Sequence, residues 1–157
     1  MVVFNKFNKL FISTTDTVLG IGGAVEDDVK NLIYEIKGRD RNKKLIILVG
    51  SIQQARSFWQ WNNEAEKLAE KFWPGPTTLV VNDQGFRMPN QKKLLAYLQA
   101  NGPVYMSSCN LSDAPVCQNI KEAKIVFPQI KHFYNFGKMT QQPSQIISVE
   151  TKKILRK

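Results

Sequence analysis

Short apolar runs alternate along this chain with segments whose apolar residues recur every three or four positions, the pattern of strands interleaved with amphipathic helices. Lys9 to Thr14 reads as a strand entering a turn at Thr15-Asp16. Val29, Leu32, Ile33 and Ile36 share one helical face, so Asp27 or Asp28 is expected to cap a helix ending near Lys37-Gly38. Leu45 to Val49 is a continuous apolar run, expected as a buried strand. Ser51 is placed as the cap of a helix carrying Ile52, Ala55 and Phe58. Ala65, Leu68, Ala69 and Phe72 repeat the helical spacing until Pro74-Gly75-Pro76 stops it. Thr77 to Val81 is β-branched and strand-like. Asn90 is expected to cap a helix through Leu94, Leu95 and Leu98, closed by Asn101-Gly102-Pro103. Val104 to Ser107 follows as a strand, Ile120 to Val126 as a weaker helix, and Gln145–Val149 with Lys152–Leu155 as a final hairpin or edge pair.

That order predicts an α/β fold, one mixed sheet flanked by helices in a single domain over residues 1–157. The longest apolar run is far too short to span a bilayer, and the N-terminal residues lack a cleavable leader, so no membrane contact is expected. Cys109 and Cys117 form neither a disulfide framework nor a CxxC motif, and read as reduced thiols of a cytoplasmic protein. A net charge of +9 favours polyanionic partners. It gathers at Lys37–Lys44, around Arg87–Lys93 and at Lys152–Lys157, although a generally lysine-rich surface would give the same total.

The chemistry on offer is narrow. His132 is the sole histidine, so multi-histidine metal sites are excluded and no protein metal ligands are assigned. No GxxxxGK[ST] loop exists, and Gly20-Ile21-Gly22-Gly23 misses the dinucleotide spacing; its glycines are expected to allow close packing or positive φ. What remains is cations, hydroxyls and an amide: Lys37 and Arg39 at a helix end, Ser108 and Asn110 at a strand exit, Thr15 in a turn. Such a set suits reactions in which orientation and charge neutralisation lower the barrier, as in nucleotidyl or phosphoryl transfer. A solvated helix end and a capped turn are the structural alternatives for the two pairs.

The chain resembles the YrdC-like family of threonylcarbamoyl-AMP synthases. The resemblance rests on Thr14-Thr15-Asp16-Thr17-Val18-Leu19-Gly20, Lys37-Gly38-Arg39, Trp73-Pro74-Gly75-Pro76-Thr77-Thr78, Arg87-Met88-Pro89, Ser108-Cys109-Asn110-Leu111-Ser112-Asp113, Pro143-Ser144-Gln145-Ile146 and Leu155-Arg156, in that order. It implies a YrdC-like fold of the short, single-domain form, with a twisted mixed sheet and a basic concave surface. It also implies condensation of L-threonine, bicarbonate or CO2 and ATP into threonylcarbamoyl-AMP and pyrophosphate, with Mg²⁺ on the phosphates. A downstream threonylcarbamoyl transferase complex would use the product to modify tRNA beside the anticodon, with direct tRNA contact by this chain left open.

By that resemblance Lys37 and Arg39 are catalytic and hold phosphates or the carbamate. Ser108 and Asn110 would donate to the nucleotide phosphate or the acyl oxygen, Thr15 and Arg87 would grip the threonine hydroxyl and carboxylate, and Ser144 and Arg156 would close over the nucleotide. The competing reading is a non-catalytic RNA-binding module using the same concavity, with Arg41 and an exposed Trp59 or Trp61. Four departures from the family pattern stand out. Thr14 replaces proline, which should loosen the turn presenting Thr15. Leu19 replaces an aromatic. Lys44 stands where the proline of Lys-Pro-Leu often sits. Asp113 replaces glycine and adds negative charge beside an anion site.

Overall fold

The computed structural model describes residues 4–157. Nine strands form one mixed sheet: β1 (Phe11–Ser13), β2 (Gly20–Ala24), β3 (Ile46–Leu48), β4 (Thr77–Val81), β5 (Gln84–Arg87), β6 (Val104–Ser108), β7 (Phe133–Tyr134), β8 (Gln145–Ser148) and β9 (Ile154–Arg156). Their order across the sheet is β7-β1-β2-β6-β3-β5-β4-β8-β9. The pairs β1/β7, β3/β5 and β4/β8 run parallel and the rest antiparallel. Around the sheet lie α1 (Asp27–Lys37), α2 (Ile52–Arg56), α3 (Asn63–Phe72), α4 (Lys92–Asn101) and α5 (Ile120–Val126). No helix among the described residues is long and apolar enough to cross a membrane.

The expected apolar stripes are the buried ones. Val29, Ile33 and Ile36 of α1 pack with Leu10, Ile12, Ile21 and Phe127. Ala65 and Ala69 of α3 pack with Ile47, Leu79 and Phe86, and Leu94 and Leu98 of α4 pack with Leu48. Ser51 does cap α2, its side chain accepting from the Gln54 N–H at 3.2 Å, but the helix ends at Arg56, before Phe58. Elsewhere the caps shift by a residue. Glu26 takes the N-cap of α1, leaving Asp27 and Asp28 in the first turn. Gln91 takes that of α4, without a side-chain cap bond, while the Asn90 N–H donates to Asp16 Oδ2 at 2.8 Å.

Three strands escape the apolar pattern: β2, β5 and the two-residue β7. β2 is Gly-Ile-Gly-Gly-Ala, and the sequence reading leaves its glycines either packed closely or at positive φ. Close packing is the answer, since only Gly38, Gly102 and Gly137 are glycines at positive φ. A Cβ on Gly22 would lie 2.3 Å from the Tyr105 carbonyl oxygen, and one on Gly20 2.3 Å from Met106 Sδ. The second missed strand, β5, is the return arm of a hairpin turning at Asn82 and Asp83, both at positive φ (47° and 66°).

Candidate functional site

A cleft of about 560 Å³ opens where strand ends and loops from distant parts of the chain meet. Thr15, Arg39, Arg87, Ser108, Ser144 and Arg156 all line it. Lys37 and Asn110 do not; Lys37 is buried and Asn110 half-buried beside it.

The Thr14–Leu19 turn enters between β1 and β2. Thr15 Oγ1 accepts the Thr17 N–H at 3.0 Å and donates to the Val18 carbonyl at 2.7 Å, folding the turn on itself. Thr14 does not loosen it, contrary to the expectation for a lost proline. Its N–H donates to the Tyr134 carbonyl at 3.1 Å, a bond proline cannot make, and its Oγ1 accepts the Phe136 N–H at 2.7 Å. Asp16 then binds Arg87, with Oδ1 2.7 Å from Nη1. The Arg87 guanidinium is 3% exposed and also donates to the Gly75 carbonyl and Thr17 Oγ1; its Nε has no partner among the described residues. Removing either member of so enclosed a pair costs about 3–5 kcal/mol.

The helix end separates Lys37 from Arg39. Gly38 adopts the left-handed conformation (φ 63°) that closes α1. Lys37, the last helical residue, stays 2% exposed and donates Nζ to the Ser108 carbonyl and, at 3.0 Å, to Asn110 Oδ1. Arg39, past the bend, enters the cleft with Nε and Nη2 donating to the Lys43 and Lys44 carbonyls. Burial, helped by the nearby Arg39 charge, pulls the Lys37 ammonium down from 10.5 to about 8. Asn110 is fully engaged: Oδ1 also accepts from Ser108 Oγ at 2.7 Å, and Nδ2 donates to the Leu111 and Ala114 carbonyls. Lys37 and Asn110 thus fix the backbone that presents Ser108. Beneath them Cys109 and Cys117 are free thiols, Cys109 pushed up chiefly by burial.

Asp113 takes φ 67°, a left-handed position that explains why glycine suits it. Its carboxylate points outward, 3.6 Å from Lys43 Nζ. On the far wall Ser144 Oγ lies 2.8 Å from Thr78 Oγ1, and Arg156 reaches from the edge strand to donate to the Ser144 carbonyl and Oγ. Burial and the neighbouring Arg87 charge lower Arg156. Sequence reasoning missed Thr17, Thr78, Gln118 and Gln141 as lining residues, and saw Lys44 only as part of a basic run and as a departure. Thr17 had a signal in its motif; the glutamines had none.

The arrangement joins fixed guanidiniums and hydroxyls over an apolar floor of Leu19, Ile46 and Met106, a geometry for a charged, nucleotide-sized ligand. No group of three or more carboxylate, histidine or cysteine side chains gathers to hold a metal among the described residues.

The Sua5_yciO_yrdC family model, described as telomere recombination, matches residues 5–157. The chain belongs to the Sua5/YciO/YrdC family. It is 32% identical over 129 residues to the threonylcarbamoyl-AMP synthase of Pyrococcus abyssi, covering 71% of this chain and 38% of that protein. With a putative threonylcarbamoyl-AMP synthase of Methanocaldococcus jannaschii it shares 28%, over 94% of this chain and 77% of the relative. The crystal structure of P. abyssi Sua5 complexed with L-threonine superposes with a TM-score of 0.79 at 29% identity, covering 92% of this chain and 48% of that one. The chain therefore spans less than half the length of both Pyrococcus proteins.

Proposed function

We propose that this protein makes L-threonylcarbamoyladenylate from L-threonine, bicarbonate or CO2, and ATP. The observation that carries the reading is one cleft lined by Arg39, Arg87, Ser108, Ser144 and Arg156, brought from separate strands and loops, in a family whose relatives bear that activity in their names. In the first step the threonine amine attacks CO2, forming the N–C bond and releasing a proton to solvent. A carbamate oxygen then attacks the α-phosphorus, the bond to the β-phosphate oxygen breaks, and pyrophosphate leaves.

Arg39 and Arg156 oppose charge on the phosphates, and the Ser108 and Ser144 hydroxyls orient them. Thr15 and Arg87 face the amino acid, Arg87 held ready by Asp16. Lys37 and Asn110 act through Ser108, by fixing its loop. Mg²⁺ is expected from phosphate chemistry, but the cleft lining offers no carboxylate. Asp16, beside it, is committed to Arg87 and the Asn90 N–H. These residues do not fit a protein-held Mg²⁺, and no step passes through one.

The product would pass, in the cytoplasm, to a threonylcarbamoyl transferase complex acting on tRNA. Purified protein supplied with ATP, magnesium, threonine and bicarbonate is expected to release pyrophosphate and form an acid-labile adenylate. Omitting threonine should abolish both. Trp59, 79% exposed, favours a second reading as an RNA-binding surface, whereas Trp61 stacks on Trp73 with ring centroids 5.1 Å apart. Background pyrophosphate together with salt-sensitive tRNA binding would favour that reading instead.

A further inference from the structure

We infer that the cleft neutralises the nucleotide's triphosphate with its own side chains, Lys44 prominent among them, and so binds ATP without a divalent cation. The inference rests on the nucleotide reading of the cleft and deepens it.

Mg²⁺ at phosphate sites is usually held by a carboxylate or two together with the phosphates. Here the lining carries Arg39, Lys44, Arg87 and Arg156 and no acidic residue. Asp16, Asp83 and Asp113 all stand outside the lining. Asp16 is held by Arg87 and the Asn90 N–H, and Asp113 lies on the outer side near Lys43. Asp83 stands 3.4 Å from Lys44 Nζ.

Arg87 is already neutralised by Asp16, which leaves Arg39, Lys44 and Arg156 facing a ligand with unbalanced charge. Lys44 differs from the other two. Its side chain is about half exposed, and its one ionic partner, Asp83, is 80% exposed on a hairpin turn, so the pair is weak and easily exchanged for a phosphate. This chain therefore adds a mobile ammonium to the place where phosphate charge must be met. A Mg²⁺ ion would compete with these groups for the same oxygens.

Calorimetric titration of the full chain with ATP, in EDTA and again in excess magnesium chloride, tests this for the wild type and K44Q. Lys44 is exposed, so its replacement leaves the fold intact, which an unchanged melting temperature would verify. The wild type is expected to bind ATP in EDTA within about threefold of its affinity in magnesium. K44Q should bind about tenfold more weakly in EDTA, the scale of one charge-assisted contact, and recover in part when magnesium is added. Wild-type affinity rising tenfold or more with magnesium would overturn the inference. So would K44Q matching the wild type in EDTA. Absence of ATP binding in both buffers would remove the nucleotide reading itself.

Discussion

Two departures from the family pattern carry opposite energetic signs. Asp113 holds φ 67° with an exposed carboxylate, so Asp113→Gly relieves left-handed strain and loses only a weak surface pair. A gain of up to about 1 kcal/mol is expected, read as a rise in melting temperature. Thr14→Pro restores the family residue but deletes the N–H bond to Tyr134 and the hydroxyl that accepts from Phe136. It should destabilise by roughly 1–3 kcal/mol in the same measurement. A gain from Thr14→Pro would show that those two bonds are dispensable.

Lys37 makes a pH prediction. Its folded value near 8 lies below the ordinary 10.5, so the unfolded chain holds more protons between those values. Below about 8 the cost of the buried ammonium is fully present, and stability rises as the pH climbs towards 10.5. Urea denaturation of wild type and Lys37→Met at pH 7 and pH 10 isolates this slope. The wild type should gain on the variant by up to roughly 3 kcal/mol across that span. An unchanged difference would place the Lys37 titration outside the range.

Elements show where the sequence speaks and where it is silent. Helical stripes such as Val29, Ile33 and Ile36 announce themselves because burial of one face selects a 3.6-residue period. β2 does not, since three of its five residues are glycines whose role is to make room for neighbouring strands. Gly22 is the sharpest case. Its missing Cβ faces a backbone oxygen at 2.3 Å, which no rotamer change can relieve, whereas Gly20 faces the flexible end of Met106. Gly22→Ala should cost about 3 kcal/mol and Gly20→Ala distinctly less, by chemical denaturation. Equal costs would mean that β2 and β6 shift apart freely. The candidate site divides along the same line. Motif spacing brought out Thr15, Arg39 and Ser108, but a lysine is ordinarily exposed, so nothing in Lys37-Gly38-Arg39 foretold that Lys37 lies buried while Arg39 turns outward. That division arises from one left-handed glycine and the packing of α1 against the β6 exit.

At the scale of the molecule, the sheet order brings distant sequence together. Strands β2, β6 and β3 are adjacent although residues from 20 to 108 separate their ends, and the edge strand β9 returns Arg156 to the cleft. Under the proposed function, this convergence builds one pocket for an adenylated amino-acid derivative. Incorporation of labelled bicarbonate into an acid-labile adenylate, matched against pyrophosphate released, tests it most directly in wild type and Arg39→Ala. The wild type should give equal amounts of both products with complete dependence on threonine, and the variant a rate lower by about 10²-fold or more. Labelled product absent from the wild type, or formed at an undiminished rate by Arg39→Ala, would contradict it.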